Sequence, residues 1–287
     1  MKRERIAVLM TCHNRKAHTV RCLESLRVAA ADVDSRVDVR VFLVDDGCTD
    51  GTAEAVTERF PWVTIVPGTG ALYWCGGMRV AWQAAARVGG FDAYLWLNDD
   101  VRLAATCLST LLETESEIVR STGRVGIAVG ATCAEDGSGT SYGEMGPEGI
   151  RPAGDAARPI ESFNGNIVLV PDGVYRVVGG FSRAYRHGFG DIDYACRARR
   201  SGVPIWLAPG HLGSCTMDKV SRWERADVPL WQRLVALHRP TGCPPWELAV
   251  LTIRHGGWWF PLTVARLYWR ALFPRSVPQS TAGAKRA

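Results

Sequence analysis

Short apolar runs alternate with amphipathic segments along the first third of the chain, and this alternation restricts the fold more than any other feature. The apolar runs are Ile6–Met10, Val39–Val44, Trp62–Val66 and Tyr94–Leu97. Each has the length and composition of a buried strand, and apolar residues recur near helical spacing between them. Strands that alternate with helices predict right-handed βαβ units and a parallel sheet. The predicted fold class is therefore α/β.

Polar residues follow three of these strands: Thr11–Arg15, Asp45–Asp46 and Asn98–Asp100. The carboxyl ends of parallel strands meet at one sheet edge, where such folds bind ligands. Adjacent carboxylates repel each other, and a hard divalent cation with oxygen ligands would offset that repulsion. An Asp-rich turn that caps the next helix is the alternative for Asn98–Asp100. Neither G-x-G-x-x-G nor a P-loop motif occurs, so a nucleotide would be held in another way.

Composition narrows the class of protein. The 287 residues are 47% apolar and carry a net charge of +5, which fits one large globular domain or a domain with an extension. Lys and Arg form no dominant run, so no nucleic-acid partner is expected. The nine Cys include no C-x-x-C pair, which predicts that no zinc site is present. The start of the chain lacks a secretory signal, which predicts a cytoplasmic protein with reduced thiols.

A second acidic segment lies in the latter half of the chain. Residues 187–202 begin with Asp191 and Asp193 and end with Arg199-Arg200-Ser201-Gly202, a charge order that matches a helix macrodipole. The two acids could simply cap this helix. The glycines before Asp191 instead favour an open loop that projects its carboxylate into a cleft. The helix N-terminus is expected to hold the pKa of Asp191 low.

Taken in order, these segments resemble the family 2 glycosyltransferases over roughly residues 5–215, with further matches at 47–52 and 179–181. The similarity is to bacterial transferases that build rhamnose-, galactofuranose- or hexose-containing surface polysaccharides. It implies a GT-A fold, with a mixed, mostly parallel sheet and helices on both faces. It also implies inverting transfer from a UDP- or dTDP-sugar to a saccharide or lipid-linked acceptor.

The resemblance also assigns roles to individual positions. Asp45, with Thr11 and His13, is expected to hold the pyrimidine base, and Asp191 is expected to be the catalytic base. The expected Mg²⁺ or Mn²⁺ site lies at Asn98–Asp100, in the place of the D-x-D motif, with Asp100 as the ligand, helped by Asp99 or Asn98. His211 would complete this site, or it is an ordinary surface or core histidine. Asp99 is also assigned to nucleotide binding. This chain departs from the family at Asn98, which carries no charge, at Gly190, where relatives have Glu, and at Cys48, where relatives have Ser.

Several further positions are candidates by their chemistry. Arg79 could contact the diphosphate or be an exposed helix residue. Trp74, like Tyr73 and Trp82, could stack on a sugar face or belong to the core. Asn164 offers an amide that suits sugar hydroxyls. Asp193 is assigned with Asn164 to the acceptor or sugar side.

The C-terminal region has a different composition. Residues 1–215 are predicted to form the transferase domain, 216–275 an amphipathic Trp- and Arg-rich helical extension, and 276–287 a disordered tail. Trp and Arg interleaved over 222–275 suit the inner face of the cell membrane. A helix packed on the transferase domain is the alternative. Two other functions remain open: a sugar nucleotidyltransferase, and a non-catalytic, membrane-associated family member.

Overall fold

The computed structural model describes residues 3–33, 35–146, 148–216 and 221–274. The chain divides into two compact units, Met1–Met217 and Asp218–Ala287. The predicted tail at 276–287 lies outside the described residues.

The first unit alternates strands and helices, as predicted. Its strands are β1 (Glu4–Cys12), β2 (Val37–Asp45), β3 (Val63–Pro67), β4 (Ala93–Leu97), β5 (Arg102–Leu103), β6 (Ile127–Cys133), β7 (Thr140–Tyr142), β8 (Met145–Gly146), β9 (Gly149–Ile150), β10 (Arg158–Pro159), β11 (Ile167–Pro171) and β12 (Ile205–Ser214). Its helices are α1 (Lys16–Asp32), α2 (Thr52–Arg59), α3 (Tyr73–Val88), α4 (Cys107–Thr122), α5 (Asp172–Val178) and α6 (Gly190–Arg200).

Most of these strands form one mixed sheet in the order β10-β12-β6-β11-β4-β1-β2-β3. The pairs β3–β2, β2–β1 and β1–β4 are parallel, and so is β6–β12. Strand β11 runs antiparallel between β4 and β6. The predicted α/β class is confirmed, and the four parallel strands bring their carboxyl ends to one edge.

Strand β4 shows how the sheet is covered on both faces. Leu95 and Leu97 belong to the apolar core that also contains residues of α1 and α4. The alternate residue Trp96 points to the opposite face, where its ring centroid lies 5.6 Å from that of Trp82 in α3. Trp82 is 1% exposed, so it is a core residue and not a sugar-stacking one. Burying a large apolar side chain stabilises a fold by about 1.5–3 kcal/mol.

The C-terminal unit is helical. It contains a 3₁₀ turn (Arg222–Glu224), α7 (Leu230–His238), α8 (Pro245–His255), a second 3₁₀ turn (Gly257–Trp259) and α9 (Phe260–Leu272). A small core holds them together, composed of Trp223, Leu237, Leu267 and Ala271. In the described part of the chain, no helix combines the length and the apolar character that crossing a membrane requires.

Candidate active site

The polar residues after β1, β2 and β4 lie along one edge of the sheet. Cys12 at the end of β1 is in register with Asp45 at the end of β2. Leu9 is in register with Trp96, two residues before Asn98. The three polar segments predicted from the sequence therefore surround one cleft edge.

Asp46 organises the loop at this edge, whereas the role predicted from the sequence was that of its neighbour Asp45. The side chain is 3% exposed. Its Oδ1 accepts hydrogen bonds from the backbone N–H groups of Thr69 (3.2 Å) and Gly70 (2.7 Å), and its Oδ2 from those of Leu72 (2.9 Å) and Tyr73 (3.0 Å). Because this carboxylate satisfies the orphan amides, α3 begins at Tyr73. The sequence signal for Asp46 was its adjacency to Asp45.

The three residues assigned to the base lie where β1, β2 and α3 meet. Asp45 is half-buried, and its Oδ1 accepts a hydrogen bond from the backbone N–H of Cys48 at 2.8 Å. His13 is exposed, and its Nδ1 lies 2.6 Å from the carbonyl oxygen of Asp46, so Nδ1 carries the donated hydrogen. Thr11 packs against Gly77 of α3, where an added Cβ would lie 2.1 Å from the threonine Oγ1.

Arg79, the candidate diphosphate contact, is turned toward another segment. Its guanidinium donates a hydrogen bond to the carbonyl oxygen of Ser182 at 3.2 Å. In this conformation Arg79 ties α3 to the segment between α5 and α6.

Arg15 supplies the positive charge that the paired carboxylates require. Its guanidinium lies 2.7 Å from Asp100 Oδ2 and 3.6 Å from Asp99 Oδ1. Asp99 is 6% exposed, and Thr19 Oγ1 donates to its Oδ2 at 3.4 Å. Burial raises the pKa of Asp99 to about 7, with Arg15 opposing and Asp100 reinforcing the rise. The sequence alone predicted no separate role for Arg15.

The Asp99 assignment needs correction. The side chain is buried toward α1, so it stabilises the loop from within and presents no surface to a nucleotide. Asp100 differs, because its side chain retains 18% of its exposure. Its Oδ1 accepts no hydrogen bond from the residues that the structure describes. That oxygen is enclosed and unsatisfied, so it is an acceptor that a cation could satisfy.

Asn98 and His211 do not join Asp100 as ligands in this conformation. The Asn98 Oδ1 accepts a hydrogen bond from Trp74 Nε1 at 2.6 Å, and its Nδ2 donates to Asn166 Oδ1 at 3.2 Å. His211 lies within β12 and contacts Thr140 Oγ1 at 2.9 Å. Across the described ranges, one group of three His, Cys, Asp or Glu residues has its ligand atoms within 4.8 Å of one another. That group does not contain His211, Asp99 or Asp100.

The donor set therefore fits a divalent cation with one protein ligand. Mg²⁺ is commonly held by one or two carboxylates together with substrate phosphates and water. Asp100 Oδ1 satisfies that pattern, whereas the expected contributions of Asn98 and His211 are not supported by their contacts.

Asp191 occupies the first turn of α6 and not a projecting loop. Its Oδ1 accepts a hydrogen bond from the backbone N–H of Ile192 at 2.9 Å, and its Oδ2 from that of Gly165 at 3.0 Å. Burial raises the pKa of Asp191 above its ordinary value, and the two N–H donors only partly oppose this. The expectation of a low pKa at the helix N-terminus was wrong because desolvation exceeds the amide contribution.

Close packing connects Asp191 to Asn98. A Cβ on Gly165 would lie 2.6 Å from the Trp74 ring, and Trp74 donates to Asn98. A Cβ on Gly190 would lie 2.5 Å from Cys75 Sγ, so glycine at this position lets α6 approach α3. Trp74 thus contacts both segments, and it is itself half-buried.

Backbone strain is concentrated in the same segments. Among the described residues, the non-glycine residues with positive φ are Asn14 (53°), Tyr73 (57°) and Phe189 (64°). They precede α1, begin α3 and precede α6, respectively. A left-handed Phe is unusual, and such strain costs about 1–3 kcal/mol per residue. The left-handed residue before Asp191 is thus Phe189 and not one of the glycines. Strain of this kind is typical of functional loops.

The two acceptor-side candidates differ in their surroundings. Asp193 is fully buried, where it pairs with Arg197 Nε at 2.7 Å and accepts from Tyr185 OH at 3.3 Å. That carboxylate has no surface for a sugar, so its assignment to the acceptor side is corrected to an internal ion pair. Asn164 is half-buried, and its Oδ1 has no partner among the described residues.

The chain is similar to known glycosyltransferases in sequence and in fold. Residues 7–117 match the family model "Glycosyl transferase family 2". This part of the chain is therefore similar to the family 2 glycosyltransferases. Among curated proteins, the chain is 24% identical to N-acetylglucosaminyl-diphospho-decaprenol L-rhamnosyltransferase of Mycobacterium tuberculosis, over 88% of this chain and 86% of the relative.

Solved structures agree on the fold. The chain matches the mannosyltransferase PcManGT from Pyrobaculum calidifontis, in complex with GDP-Man and Mn²⁺, with a TM-score of 0.55 and 17% identity over 95% of this chain and 82% of that one. It matches S. aureus TarS in complex with UDP-GlcNAc with a TM-score of 0.58 and 12% identity, over 94% and 74% of the two chains. The GT-A fold expected from the sequence is confirmed.

Proposed function

We propose that this glycosyltransferase moves a sugar, with rhamnose the first candidate, from a UDP- or dTDP-sugar to a lipid-linked saccharide with inversion at the anomeric carbon. One observation carries the proposal: Asp191 and the Asn98–Asp100 segment are joined through Trp74 and Gly165 at one sheet edge. The similarity to a rhamnosyltransferase over most of the chain supports the sugar and the acceptor class.

Asp191 is suited to act as the general base. Its raised pKa makes the carboxylate a better proton acceptor than an ordinary Asp. The backbone donors from Gly165 and Ile192 fix its orientation and leave further lone pairs for an acceptor hydroxyl. One base of this kind is sufficient for a single displacement, which inverts the configuration of the transferred sugar.

The leaving diphosphate needs positive charge. Arg15, held against Asp100, is placed to contribute some of it. Asp100 Oδ1 would hold Mg²⁺ or Mn²⁺, and such an ion, when bound, neutralises charge on the phosphate oxygens. Asp45 and His13 would hold the pyrimidine base beside this site, with Thr11 shaping the pocket from beneath α3.

Donor profiling tests the proposal. The full chain is incubated with a panel of UDP- and dTDP-sugars, dTDP-rhamnose included, with a polyprenyl-diphosphate N-acetylglucosamine acceptor, and with Mg²⁺, Mn²⁺ or EDTA. We expect acceptor-dependent release of nucleoside diphosphate, and a product whose anomeric configuration is opposite to that of the donor. Release of pyrophosphate would indicate a nucleotidyltransferase. Absence of both product and donor binding would indicate a non-catalytic protein.

The C-terminal unit is proposed to contact the membrane that carries the acceptor. Large apolar side chains stay exposed on α9 and the turn before it, including Trp258 (73%), Trp259 (51%) and Trp269 (64%). Leu262, Arg266, Trp269 and Phe273 recur at helical spacing and are all exposed, whereas Leu267 and Ala271 face the unit's own core. Tryptophans beside a cationic side chain suit a lipid headgroup region.

Arg270 forms an ion pair with Glu224 and lies over the Trp223 ring at 5.3 Å, so it stabilises the unit itself. Arg266 is also exposed, and it lies one turn from both Leu262 and Trp269.

Flotation with phosphatidylglycerol and phosphatidylcholine vesicles tests the contact. The Trp258→Ser, Trp259→Ser double variant is expected to lower binding to anionic vesicles by at least about tenfold, because two indole rings leave the interface. Val88→Ser is the control, since Val88 is 57% exposed but lies in α3. Equal flotation of the Trp double variant and the control would reject the membrane contact.

A further inference from the structure

Two cysteines and one carboxylate converge beside the base pocket. The ligand atoms of Cys12, Asp45 and Cys48 all lie within 4.8 Å of one another. Cys12 ends β1 and is 3% exposed, whereas Asp45 and Cys48 are half-buried and give access from outside. The two cysteines are 36 residues apart, so they do not form a C-x-x-C pair.

The separation of the sulfurs suits a bridging ion better than a covalent bond. Cys12 Sγ and Cys48 Sγ are 3.8 Å apart. Two sulfurs bound at about 2.3 Å to a tetrahedral Zn²⁺ are also about 3.8 Å apart. A disulfide needs about 2.05 Å, so the sulfurs would have to move much closer together.

We propose that Cys12, Cys48 and Asp45 form a binding site for Zn²⁺ or another thiophilic divalent cation, and that the bound ion excludes the nucleotide. Two thiolates and a carboxylate give three protein ligands, which leaves a fourth position for water. On binding, both thiols lose their protons to solvent, and no oxidation occurs. The exclusion rests on the proposed function, because it requires Asp45 to be the residue that holds the base.

The ligand chemistry separates this site from the one at Asp100. Thiolates select soft or borderline ions such as Zn²⁺ and Co²⁺, whereas Mg²⁺ prefers oxygen. Excess Mg²⁺ is therefore expected to leave the cysteine site unoccupied while it supports the transferase. Low concentrations of Zn²⁺ would inhibit donor use even with Mg²⁺ present.

Spectroscopic titration of the reduced full chain with Co²⁺ tests binding. Sulfur ligation gives a charge-transfer absorption that oxygen ligands do not. We expect this band to saturate at one equivalent in the wild type and in the control Cys196→Ser, whose thiol lies in α6. Cys48→Ser is expected to weaken binding by at least about tenfold. Thermal unfolding of Cys48→Ser checks that the fold persists.

Zinc titration in a chelator-buffered solution tests exclusion, because the buffer fixes free Zn²⁺ when nucleoside diphosphate is added. Nucleoside diphosphate is expected to weaken Zn²⁺ binding to the wild type. Its own binding is measured separately on zinc-free Cys48→Ser, so a failure there would count against the proposed function and not against the cation site.

Three results would overturn the inference. The first is equal Co²⁺ binding by Cys48→Ser and the wild type. The second is Zn²⁺ affinity that does not change when a nucleotide that binds the protein is added. The third is a Cys12–Cys48 disulfide formed by glutathione disulfide in a chain that binds no cation.

Discussion

Replacing Asp46 by Asn tests how the cleft edge is held together. The wild-type carboxylate accepts backbone hydrogen bonds from Thr69 and Gly70 on one oxygen and from Leu72 and Tyr73 on the other. Asparagine keeps the size and one oxygen, but its NH₂ group must then face two N–H donors.

The magnitude follows from those contacts. A hydrogen bond to a charged group contributes about 1.5–3 kcal/mol, so the loss of two gives about 3–6 kcal/mol. A protein of this kind is stable by about 5–15 kcal/mol, so the change is large compared with the whole. We expect a fall of at least about 3 kcal/mol, either in global unfolding or in the local opening of residues 68–73.

Urea unfolding and amide hydrogen exchange measure these two quantities. Asp45→Asn is the matched control, because Asp45 accepts one backbone bond, from Cys48, and an asparagine oxygen can retain it. The control is expected to lose no more than about 1 kcal/mol. If Asp46→Asn unfolds within about 1 kcal/mol of the wild type and the amides of 69–73 exchange at unchanged rates, the assignment is refuted.

Three further outcomes are expected. Asp191→Asn should lower kcat by about 10²–10⁴ without loss of folding. Wild-type kcat should fall as pH drops through the raised pKa of Asp191, because the base must be ionised. If Asp191→Asn lowers kcat by less than about tenfold, Asp191 is not the base. Gly190→Ala should cost about 1–3 kcal/mol in urea unfolding through contact with Cys75, and Cys75→Ala should recover part of it, whereas additive costs would reject the contact. The native pKa of Asp99 is about 7 against about 3.9 unfolded, so the native state binds more protons and stability declines as pH rises between these values. Asp99→Asn should remove that decline, at most about 4 kcal/mol, in urea unfolding with EDTA at pH 4.5 and 8, and parallel pH profiles would argue against it.

The alternation of apolar runs and helical segments was sufficient to predict the α/β class, because period and length are properties of neighbouring residues. Asn98–Asp100 and Asp45–Asp46 were found from sequence for the same reason, since each directly follows a buried strand. The start of α3 depends on a distant residue, because the amides that begin it are capped by Asp46, which lies 27 residues before Tyr73.

The roles within the site depended on partners far apart in the chain. Sequence placed a carboxylate pair after β4, but only tertiary structure shows Arg15 against it and Asp99 buried behind Asp100. Burial also reversed the expected direction of the pKa of Asp191.

Cys12 and Cys48 show most clearly which properties the sequence determines and which the tertiary structure determines. Their identities and positions are fixed by the sequence, which by itself predicted no zinc site. Their proximity to Asp45 exists only because parallel pairing of β1 and β2 brings the ends of two strands side by side. Local patterns determine which elements form, whereas distances between elements are determined by how the sheet pairs and what the helices bury.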